Sequence, residues 1–450
     1  MKRNVAMERY LERHIEPGLP DAPALSIQNN GGRWRNVIVL PCYDESPALL
    51  DNFAELASDQ LTLIILVLNR PESCQDDTIN SHLRDAIAHL AIAIEDPSNA
   101  TNIHRLSNSV ELYCHDLERR SGPTPDSQGV GLARKVGCDI AMRWQNQSAI
   151  SGHWICSTDA DAVLPADYFS QLEQCDKTSQ VAIFPFVHAP GESDEVNRAT
   201  ALYELRLHHY VLGLLYAKSP YAHHTLGSCV AVKRDQYAQV RGYPKRSGGE
   251  DFYLLNKLAK ISPINTLSGE CIALQSRPSQ RVPFGTGPAT QQIIAQGNGD
   301  KTSVFYHPQS YEALRAVLAV IDDLRNYSLE NLPSLLENQG IPTVLCQATD
   351  SALKAMGLET AIAHCQKQGR SSEQFRRQFD QWFDGFRTLK FVHAIRAQGW
   401  EMQSLATLAT FTPTLFPQIN DPGSTKTLLR AKVIEQWQWT SHLLAGAAEN

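Results

Sequence analysis

The sequence NVIVLP at residues 36–41 is an apolar run that a proline stops, a pattern typical of a buried parallel strand. A second apolar run follows at residues 63–68 (LIILVL), and residues 111–114 (ELYC) indicate a third strand. Residues 46–58 and 79–94 carry apolar side chains at helical spacing. This β-α-β-α-β order predicts an α/β fold with a Rossmann-like, mostly parallel sheet sandwiched by helices. Ligands of such sheets bind beyond the carboxyl ends of the strands.

The character of the sequence divides the chain into three parts. Residues 1–35 form a polar, partly helical N-terminal extension, and residues 36–310 contain the alternating strands and helices. From residue 311 onward helical periodicity dominates, in the segments 311–324, 352–366, 372–386 and 388–399. We therefore predict a helical C-terminal domain, residues 311–450, whose helices are also the candidate interface for a homo-oligomer.

Composition limits the class of protein. A hydrophobic content of 42% and a charged content of 20% are ordinary for a globular protein, and the net charge of -7 argues against nucleic-acid binding. The longest apolar run, residues 61–68, is too short for a transmembrane segment, and the N-terminus has no signal-peptide core. The ten cysteines show no zinc-site spacing, which favours reduced thiols. We expect a cytoplasmic enzyme.

Two carboxylates, Asp159 and Asp161, follow the short apolar run WICS at residues 154–157. Residues i and i+2 of a strand point to the same side, so this pair is expected to converge on one hard cation, Mg²⁺ or Mn²⁺. Asp is also common in turns after strands. The same pattern matches haloacid-dehalogenase-type phosphatases, in which Asp159 would be the nucleophile. The long stretch of alternating strands and helices before the pair counts against that alternative.

Two further segments carry candidate nucleotide-binding residues. After the first strand, Asp44 or Glu45 could lie beside a base or ribose, although for the motif taken alone simple N-capping of the next helix is the better explanation. Glycines at residues 129 and 131 precede a helix and would let phosphate oxygens approach backbone N–H groups. Arg134 and Lys135 lie off the apolar stripe of that helix and could reach an anion, or they could form a solvated basic face.

Glu250 and Asp251 stand together in the first turn of a predicted helix, behind Ser247-Gly248-Gly249. The helix macrodipole explains one acidic residue there better than it explains two. A carboxylate at such an entrance could act as the general base toward an acceptor hydroxyl.

Two arginines, Arg277 and Arg281, precede a Gly-Thr-Gly loop at residues 285–287. Arginine forks bind phosphate oxygens bidentately, so this segment could close over a diphosphate and neutralise it. As an isolated pattern it is more typical of a surface loop.

Taken in this order, the segments resemble glycosyltransferase family 2 and the wider GT-A fold, from about residue 36 to residue 287. Residues 37–45 (VIVLPCYDE) look like the family's opening strand and its Pro-x-Tyr-Asn/Asp-Glu loop. Residues 158–161 (TDAD) look like its DxD element. Residues 227–234 (GSCVAVKR), followed by Gly242-Tyr243 and residues 249–251 (GED), are similar to the acceptor-side strand and the Glu-Asp motif.

The resemblance implies a role for each motif. Asp161 would bind the Mn²⁺ or Mg²⁺ that bridges the donor diphosphate, and Asp159 would assist at the metal or the ribose. Asp251 would be the catalytic base, with Glu250 beside it. The nucleotide-sugar-binding residues would be Pro41, Tyr43, Asp44, Glu45, Asn69, Arg134, Asp159, Arg277 and Arg281.

These implications predict a metal-dependent glycosyltransferase of the hexosyltransferase class. It would move one sugar from a UDP- or GDP-linked donor to an acceptor hydroxyl, with inversion. The second strand ends in Asn69, where family members often place an aspartate that reads uracil, and the Gln-x-x-Arg-Trp element of processive members is absent. A GT-A-like nucleotidyltransferase would need a glycine- and lysine-rich loop after the first strand, which residues 41–46 lack. A non-catalytic binding module leaves the two acidic pairs unexplained.

Overall fold

The computed structural model describes residues 5–23, 33–96, 101–191, 193–276, 285–297, 301–326, 329–405 and 407–408. The chain divides into two compact units. The first contains Met1–Gly191 and Thr225–Pro288, and the second contains Glu192–His224 and Ala289–Asn450. These limits differ from the expected boundaries at residues 35 and 310. The N-terminal segment belongs to the first unit, and the segment 192–224 belongs to the second unit.

The strands are short, with at most seven residues each. They are β1 Asn36–Cys42, β2 Thr62–Leu68, β3 Ile92–Asp96, β4 Thr101–Arg105, β5 Val110–Asp116, β6 Trp154–Ser157, β7 Val181–Ile183, β8 Phe186–Ala189, β9 Val230–Lys233, β10 Ile264–Thr266, β11 Ile272–Gln275, β12 Ser303–Phe305 and β13 Gln403–Ser404.

The helices dominate the second unit and flank the strands of the first. They are α1 Val5–Arg13, α2 Ala48–Ala54, α3 Ser81–Ala88, α4 Leu117–Ser121, α5 Gly129–Asn146, α6 Tyr168–Glu173, α7 Asp194–Tyr216, α8 Arg234–Gln239, α9 Glu250–Ala259, α10 Thr286–Ala295, α11 Pro308–Val320, α12 Leu332–Glu337, α13 Thr343–Ala355, α14 Leu358–Gln368, α15 Ser372–Trp382 and α16 Gly385–Ala397. In the part of the chain that the structure describes, none of these helices is long and apolar enough to cross a membrane.

One large sheet forms the core of the first unit, with the strand order β10-β7-β9-β6-β1-β2-β5-β4-β3. All its strands run in one direction except β4 and β9, which are antiparallel to their neighbours. Every residue of β2 is buried, which shows that both faces of the sheet are covered. The predicted α/β class, with a mostly parallel sheet between helices and a helical C-terminal region, is confirmed.

Pro41 does not end the first strand as expected, because β1 continues through it to Cys42. The Val39 carbonyl accepts from Thr158 on the β6 side, and the Cys42 carbonyl accepts from Asn69 on the β2 side. Successive residues of a strand direct their backbone N–H and C=O groups to opposite neighbours. Pro41, two residues after Val39, would therefore direct its missing N–H toward β6. The pairing of β1 with β6 stops at Val39, so the proline removes no ladder hydrogen bond.

Residues 79–94 do not form the single helix that was expected. Helix α3 ends at Ala88, and β3 begins at Ile92. Strand β3 pairs antiparallel with β4, which pairs with β5, so the segment extends the sheet. The mixed polar sequence IAIED suits an edge strand, which is paired on one side only.

Helix α1 packs into the first unit through a buried charged cluster. The Lys135 ammonium donates to the Tyr10 hydroxyl at 2.7 Å, the His14 carbonyl at 2.9 Å and the Asp139 carboxylate at 2.8 Å. Asp139 is fully buried and also accepts from Tyr10 and from the Glu16 backbone N–H. All three donors of Lys135 are therefore used within the fold, and neither the anion-binding role nor the solvated basic face expected for it is correct.

Helix α5 lies so close to the sheet that Gly137 leaves no room for a side chain. A Cβ there would collide with Cγ1 of Val39 and lie 3.1 Å from Cγ2 of Val67. The absence of a side chain lets the helix contact β1 and β2 directly, and this contact fixes the position of the residues earlier in α5.

We expect Gly137→Val to lower the free energy of unfolding by about 1–3 kcal/mol, because the inserted branched side chain overpacks the helix–sheet contact. Urea denaturation would measure the change. Val39→Ala removes the colliding methyl group, so the double variant is expected to lose less stability than the sum of the two single variants. Strict additivity of the two losses would show that this close contact does not exist.

The second unit is a helical assembly around its own apolar core. Buried side chains from α7, α11, α13, α15 and α16 belong to a single cluster that includes Leu212, Tyr311, Leu353 and Phe391. The helix expected over residues 352–366 is in fact two helices, α13 and α14, which are separated by Gly357. The backbone of Gly357 is left-handed, with φ of 84°, which glycine adopts without strain and which interrupts a helix.

Candidate functional site

The two aspartates of the Asp-Ala-Asp element lie in a turn. Strand β6 ends at Ser157, and the Ala162 N–H donates to the Asp159 carbonyl at 3.2 Å. The expectation that Asp159 and Asp161 point to the same side because they belong to a strand is therefore wrong. Because β6 is parallel to β1, this turn lies at the carboxyl edge of the sheet, where ligands of such folds bind.

Asp159 is held from two sides by residues distant in sequence. One carboxylate oxygen forms an ion pair with the Arg134 guanidinium, and the other accepts from the Ser228 hydroxyl at 2.8 Å. Gly227 makes room for this arrangement, because a Cβ at that position would lie 2.5 Å from Nη2 of Arg134. Both carboxylate oxygens therefore accept a strong hydrogen bond, which fixes the orientation of the Asp159 side chain.

Arg134 joins the two acidic segments of the sequence. Its Nε donates to the Glu250 carboxylate at 2.9 Å, and its Nη1 donates to the Ser157 hydroxyl at 2.6 Å. The side chain is only 3% exposed. Burial opposes the positive charge, but Asp159 and Glu250 outweigh burial and raise the pKa of Arg134 further above its ordinary value. The guanidinium therefore remains charged and holds the turn after β6 beside the start of α9.

Asp251 follows Glu250 in the first turn of α9, and its pKa is shifted toward neutral pH. Burial, reinforced by the negative charge of Glu250, raises the pKa of Asp251 to about 7, although Arg134 acts in the opposite direction. The carboxylate also accepts from the Phe252 backbone N–H at 2.6 Å. A carboxyl group that ionises near pH 7 can serve as a general base at that pH.

The glycines at the start of α5 do not form the phosphate-binding loop that the sequence suggested. A Cβ on Gly131 would lie 2.5 Å from the Pro244 carbonyl oxygen, and its N–H donates to the Arg246 carbonyl at 3.0 Å. A Cβ on Gly129 would lie 2.8 Å from Cα of Ser247. The helix start is thus covered by the segment 244–247, and the glycines allow this close backbone approach.

The other predicted nucleotide-binding residues lie at the ends of β1 and β2. Pro41 is part of β1. Tyr43, Asp44 and Glu45 lie in the loop between the end of β1 and the start of α2. The Asp44 N–H donates to the Asn80 side chain at 3.1 Å, and the Asn80 amide donates to the Asn69 carbonyl at 3.1 Å. Buried Asn80, which the sequence analysis did not identify, therefore ties the two loops together.

Asn69 is almost completely buried, with 5% of its surface exposed. Its side-chain amide makes no hydrogen bond to any residue that the structure describes, since the Asn80 contact uses its backbone carbonyl. A nearly buried amide with no side-chain partner among the described residues is a candidate ligand contact at the carboxyl end of β2.

Arg277 and Arg281 lie outside the described residues, so their predicted contact with a diphosphate stays a prediction. Within the described ranges, no group of three or more His, Cys, Asp or Glu side chains could hold a metal ion. Magnesium-type ions bound to substrate phosphates keep several waters and need only one or two protein carboxylates. Asp161, with the accessible side of Asp159, meets that smaller requirement, because the Asp159 side chain is 40% exposed.

Three residues of the cluster were missed by the sequence analysis as site residues: Ser157, Ser228 and Tyr243. The two serines bind Arg134 and Asp159, and burial raises the pKa of Tyr243, whose phenol lies in the field of Arg134. Ser157 is the last residue of an apolar run, and Ser228 belongs to the GSC segment that the resemblance marked. Their positions were visible in the sequence, but their partners were not.

Comparison with known proteins gives similarity at the level of solved structures only. No protein-family model matches the chain, and no curated protein matches it. Residues 1–349 of S. aureus TarS, crystallised with UDP-GlcNAc, are similar over 78% of this chain and 91% of that chain, with 12% identity and a TM-score of 0.34. The longer TarS structure gives 12% identity and a TM-score of 0.32, and this chain covers 55% of it.

The apo structure of WbbM, a bifunctional glycosyltransferase, is similar over 55% of this chain and 40% of its own, with 11% identity and a TM-score of 0.28. This chain thus spans less than half of WbbM.

Proposed function

We propose that this protein is a metal-dependent glycosyltransferase that moves one sugar from a nucleotide-diphosphate donor to an acceptor hydroxyl, with inversion. The observation that carries the proposal is the buried Arg134, which joins the Asp159 turn to the Glu250-Asp251 pair. One acidic segment is thereby suited to the donor diphosphate and its metal, and the other to an acceptor. A single site with both functions is what group transfer requires.

Asp251 is the proposed general base. In its ionised form it takes the proton of the acceptor hydroxyl while that oxygen forms a bond to the anomeric carbon. The bond from this carbon to the diphosphate oxygen breaks at the same time, and its electrons leave with the nucleoside diphosphate. The pKa of Asp251, raised to about 7 by burial and by Glu250, supports this role because the base is then well matched to neutral pH.

The remaining groups bind and orient the donor. A Mn²⁺ or Mg²⁺ held by Asp161, with Asp159 beside it, would neutralise the departing diphosphate. Arg134 keeps Asp159 in place through its ion pair, while Ser228 fixes the second oxygen. The buried amide of Asn69 offers an NH₂ donor group and an acceptor oxygen to the edge of a nucleobase, in the loop that Asn80 connects to Asp44.

A thermal-shift panel of the full-length protein with UDP, GDP, ADP and CDP, each with and without Mn²⁺, tests the proposal. We expect one nucleoside diphosphate to raise Tm, and to raise it further with Mn²⁺, since a ligand that binds only the native state stabilises it. The stabilisation is about 2.7 kcal/mol at a ligand concentration one hundred times Kd.

Asp161→Ala is expected to lose the Mn²⁺-dependent part of the shift and to keep the part that the nucleotide gives alone. Asp59→Ala, a change at an exposed turn residue, is the control and is expected to behave like the wild type. If no nucleoside diphosphate changes Tm and Asp161→Ala has no effect, the proposed function is wrong.

A further inference from the structure

The carboxyl ends of β1, β2 and β5 form a row at the edge of the sheet. Cys42 is the register partner of Leu68, and Leu68 is the register partner of Asp116. Asn69 directly follows this row in the middle strand. Its N–H donates to the Cys42 carbonyl at 3.0 Å, and its carbonyl accepts from the Asn80 side chain at 3.1 Å. Both backbone groups of Asn69 are therefore fixed, while its side-chain amide has no partner among the described residues.

A network of four charged side chains lies beside Asn69 at this edge. Glu118, in the first turn of α4, accepts from Nε of Arg70 at 2.6 Å and also forms an ion pair with Arg84. Arg84 in turn donates to the Asp116 carboxylate at 2.7 Å, and none of the four side chains is more than 17% exposed. Burial opposes the negative charge of Glu118, but the two arginines outweigh burial and hold its pKa below the ordinary value. Glu118 therefore stays charged at neutral pH and keeps both arginines in place.

Helix α3 closes this network into a ring that includes Asn69. Arg84 and Asn80 are one helical turn apart, and the Arg84 backbone N–H donates to the Asn80 carbonyl at 3.1 Å. From Asn80 the ring passes to the Asn69 carbonyl and along the backbone to Arg70. Glu118 then connects Arg70 back to Arg84. Asn69 is thus held both through its own carbonyl and through the residue that follows it.

We propose that Arg84 and Glu118 are positioning residues for the donor nucleobase, which keep Asn69 where its side-chain amide can bind the base. This inference rests on the proposed function, in which Asn69 contacts that base. An amide whose backbone is fixed before binding loses little conformational freedom when the ligand arrives, so the ring increases affinity without touching the ligand. Because Glu118 and Asp116 already neutralise the two arginines, the network is not a second phosphate site.

A double-mutant cycle on Asn69 and Glu118 tests this assignment. The nucleoside diphosphate that stabilises the wild type is titrated calorimetrically into the full-length protein in Mg²⁺. We expect Asn69→Ala to raise Kd by about tenfold, the usual effect of losing one or two hydrogen bonds. Glu118→Gln should raise Kd by roughly threefold to tenfold, because it breaks the ring. In the Asn69→Ala background it should add less than about twofold, since the group that it positions is gone.

A second variant and a matched control complete the test. Arg84→Lys keeps the positive charge but lacks the fork that reaches Asp116 and Glu118 together, so it should raise Kd by about threefold. It takes the place of Glu118→Gln in the cycle if that variant does not fold. Glu111→Gln is the control, because the buried Glu111 accepts from Arg33 at 2.9 Å near the opposite end of β5. It is expected to lower the free energy of unfolding but to leave Kd within about twofold of the wild type.

Three results would overturn the assignment and leave the proposed function standing. Asn69→Ala could leave Kd unchanged, or the ring variants could affect Kd no more than Glu111→Gln does. In the third, Glu118→Gln would raise Kd as much in the Asn69→Ala background as it does alone, and Glu118 would then act by another route. Failure of the proposed function is distinguishable from all three. It appears as the absence of any nucleotide binding to the wild-type protein, and this assignment is then wrong as well.

Discussion

Asp251→Asn is expected to lower kcat of sugar transfer by about 10²–10⁴-fold, the usual contribution of a positioned general base. The amide has nearly the shape of the carboxylate but cannot accept the acceptor proton. Because Asp251 does not bind the nucleotide in this scheme, the thermal shift with nucleoside diphosphate and Mn²⁺ should be unchanged. The thermal shift identifies the nucleobase of the donor. Steady-state rates of transfer, measured with a nucleotide sugar that carries this nucleobase, would give the change in kcat.

The same substitution is expected to make the protein more stable at alkaline pH. The folded-state pKa of Asp251 is about 7, above the ordinary carboxyl value of 3.8, so the folded protein retains a proton that the unfolded chain releases. The contribution of Asp251 to wild-type stability therefore falls as pH rises from about 4 to about 7 and then levels off. Asparagine has no such loss, and at pH 8 we expect Asp251→Asn to gain roughly 1–2 kcal/mol, after allowance for its partial exposure.

Asp59→Asn is the control for both effects, because Asp59 is exposed in a turn. Its activity and its stability at pH 8 should match those of the wild type. An Asp251→Asn protein that retains most of its activity, or that is less stable than the wild type at pH 8, would contradict the assigned role and the raised pKa.

Arg134→Met is expected to lower the free energy of unfolding by about 3–5 kcal/mol, the usual cost of leaving one member of a buried ion pair without its partner. Glu250 would remain as a buried carboxylate without its counter-ion, whereas the partly exposed Asp159 can be hydrated. Urea denaturation at pH 7 would measure the loss. Transfer activity should also disappear, because nothing then joins the Asp159 turn to α9.

A double variant and a matched control complete this test. Adding Glu250→Gln removes the unpaired charge, so Arg134→Met/Glu250→Gln should be more stable than Arg134→Met alone. Arg143→Met alters the same helix at a pair with the half-exposed Asp21 and should cost less than about 1 kcal/mol. Equal losses at the two arginines would show that Arg134 is not a buried structural charge.

The sheet could be predicted where its strands are buried on both faces. The apolar runs of β1 and β2 are continuous because each lies between two neighbouring strands and beneath helices. The edge strand β3 and its neighbour β4 were not predicted, since their sequences IAIED and TNIHR mix polar and apolar residues without a clear period. Gly357 was likewise not recognised as the end of a helix within an otherwise periodic segment.

The candidate site could be predicted as separate motifs but not as an arrangement. Arg134, Asp159, Glu250 and Asp251 were each selected from local patterns, and the structure brings all four together. The sequence does not show that Arg134 pairs with carboxylates 25 and 116 residues away.

The roles expected for two local patterns were wrong, because the residues that contact them come from distant segments of the chain. Gly129 and Gly131 look the same in sequence whether a phosphate or another backbone lies against them, and here it is the segment 244–247. Lys135 was expected to reach an anion or to form a solvated basic face, but Tyr10 of α1 covers it and it pairs with Asp139. In both cases a tertiary contact decides the role of the residues.

The pH dependence of kcat/KM for sugar transfer tests the central claim most directly, namely that Asp251 is a base tuned by burial and by Glu250. For the wild type we predict a rate that rises with pH through a single ionisation near pH 7 and then reaches a plateau. The residual rate of Asp251→Asn should show no ionisation in that range. If Asp251→Asn retains the wild-type profile and rate, Asp251 is not the base and the account of the site is contradicted.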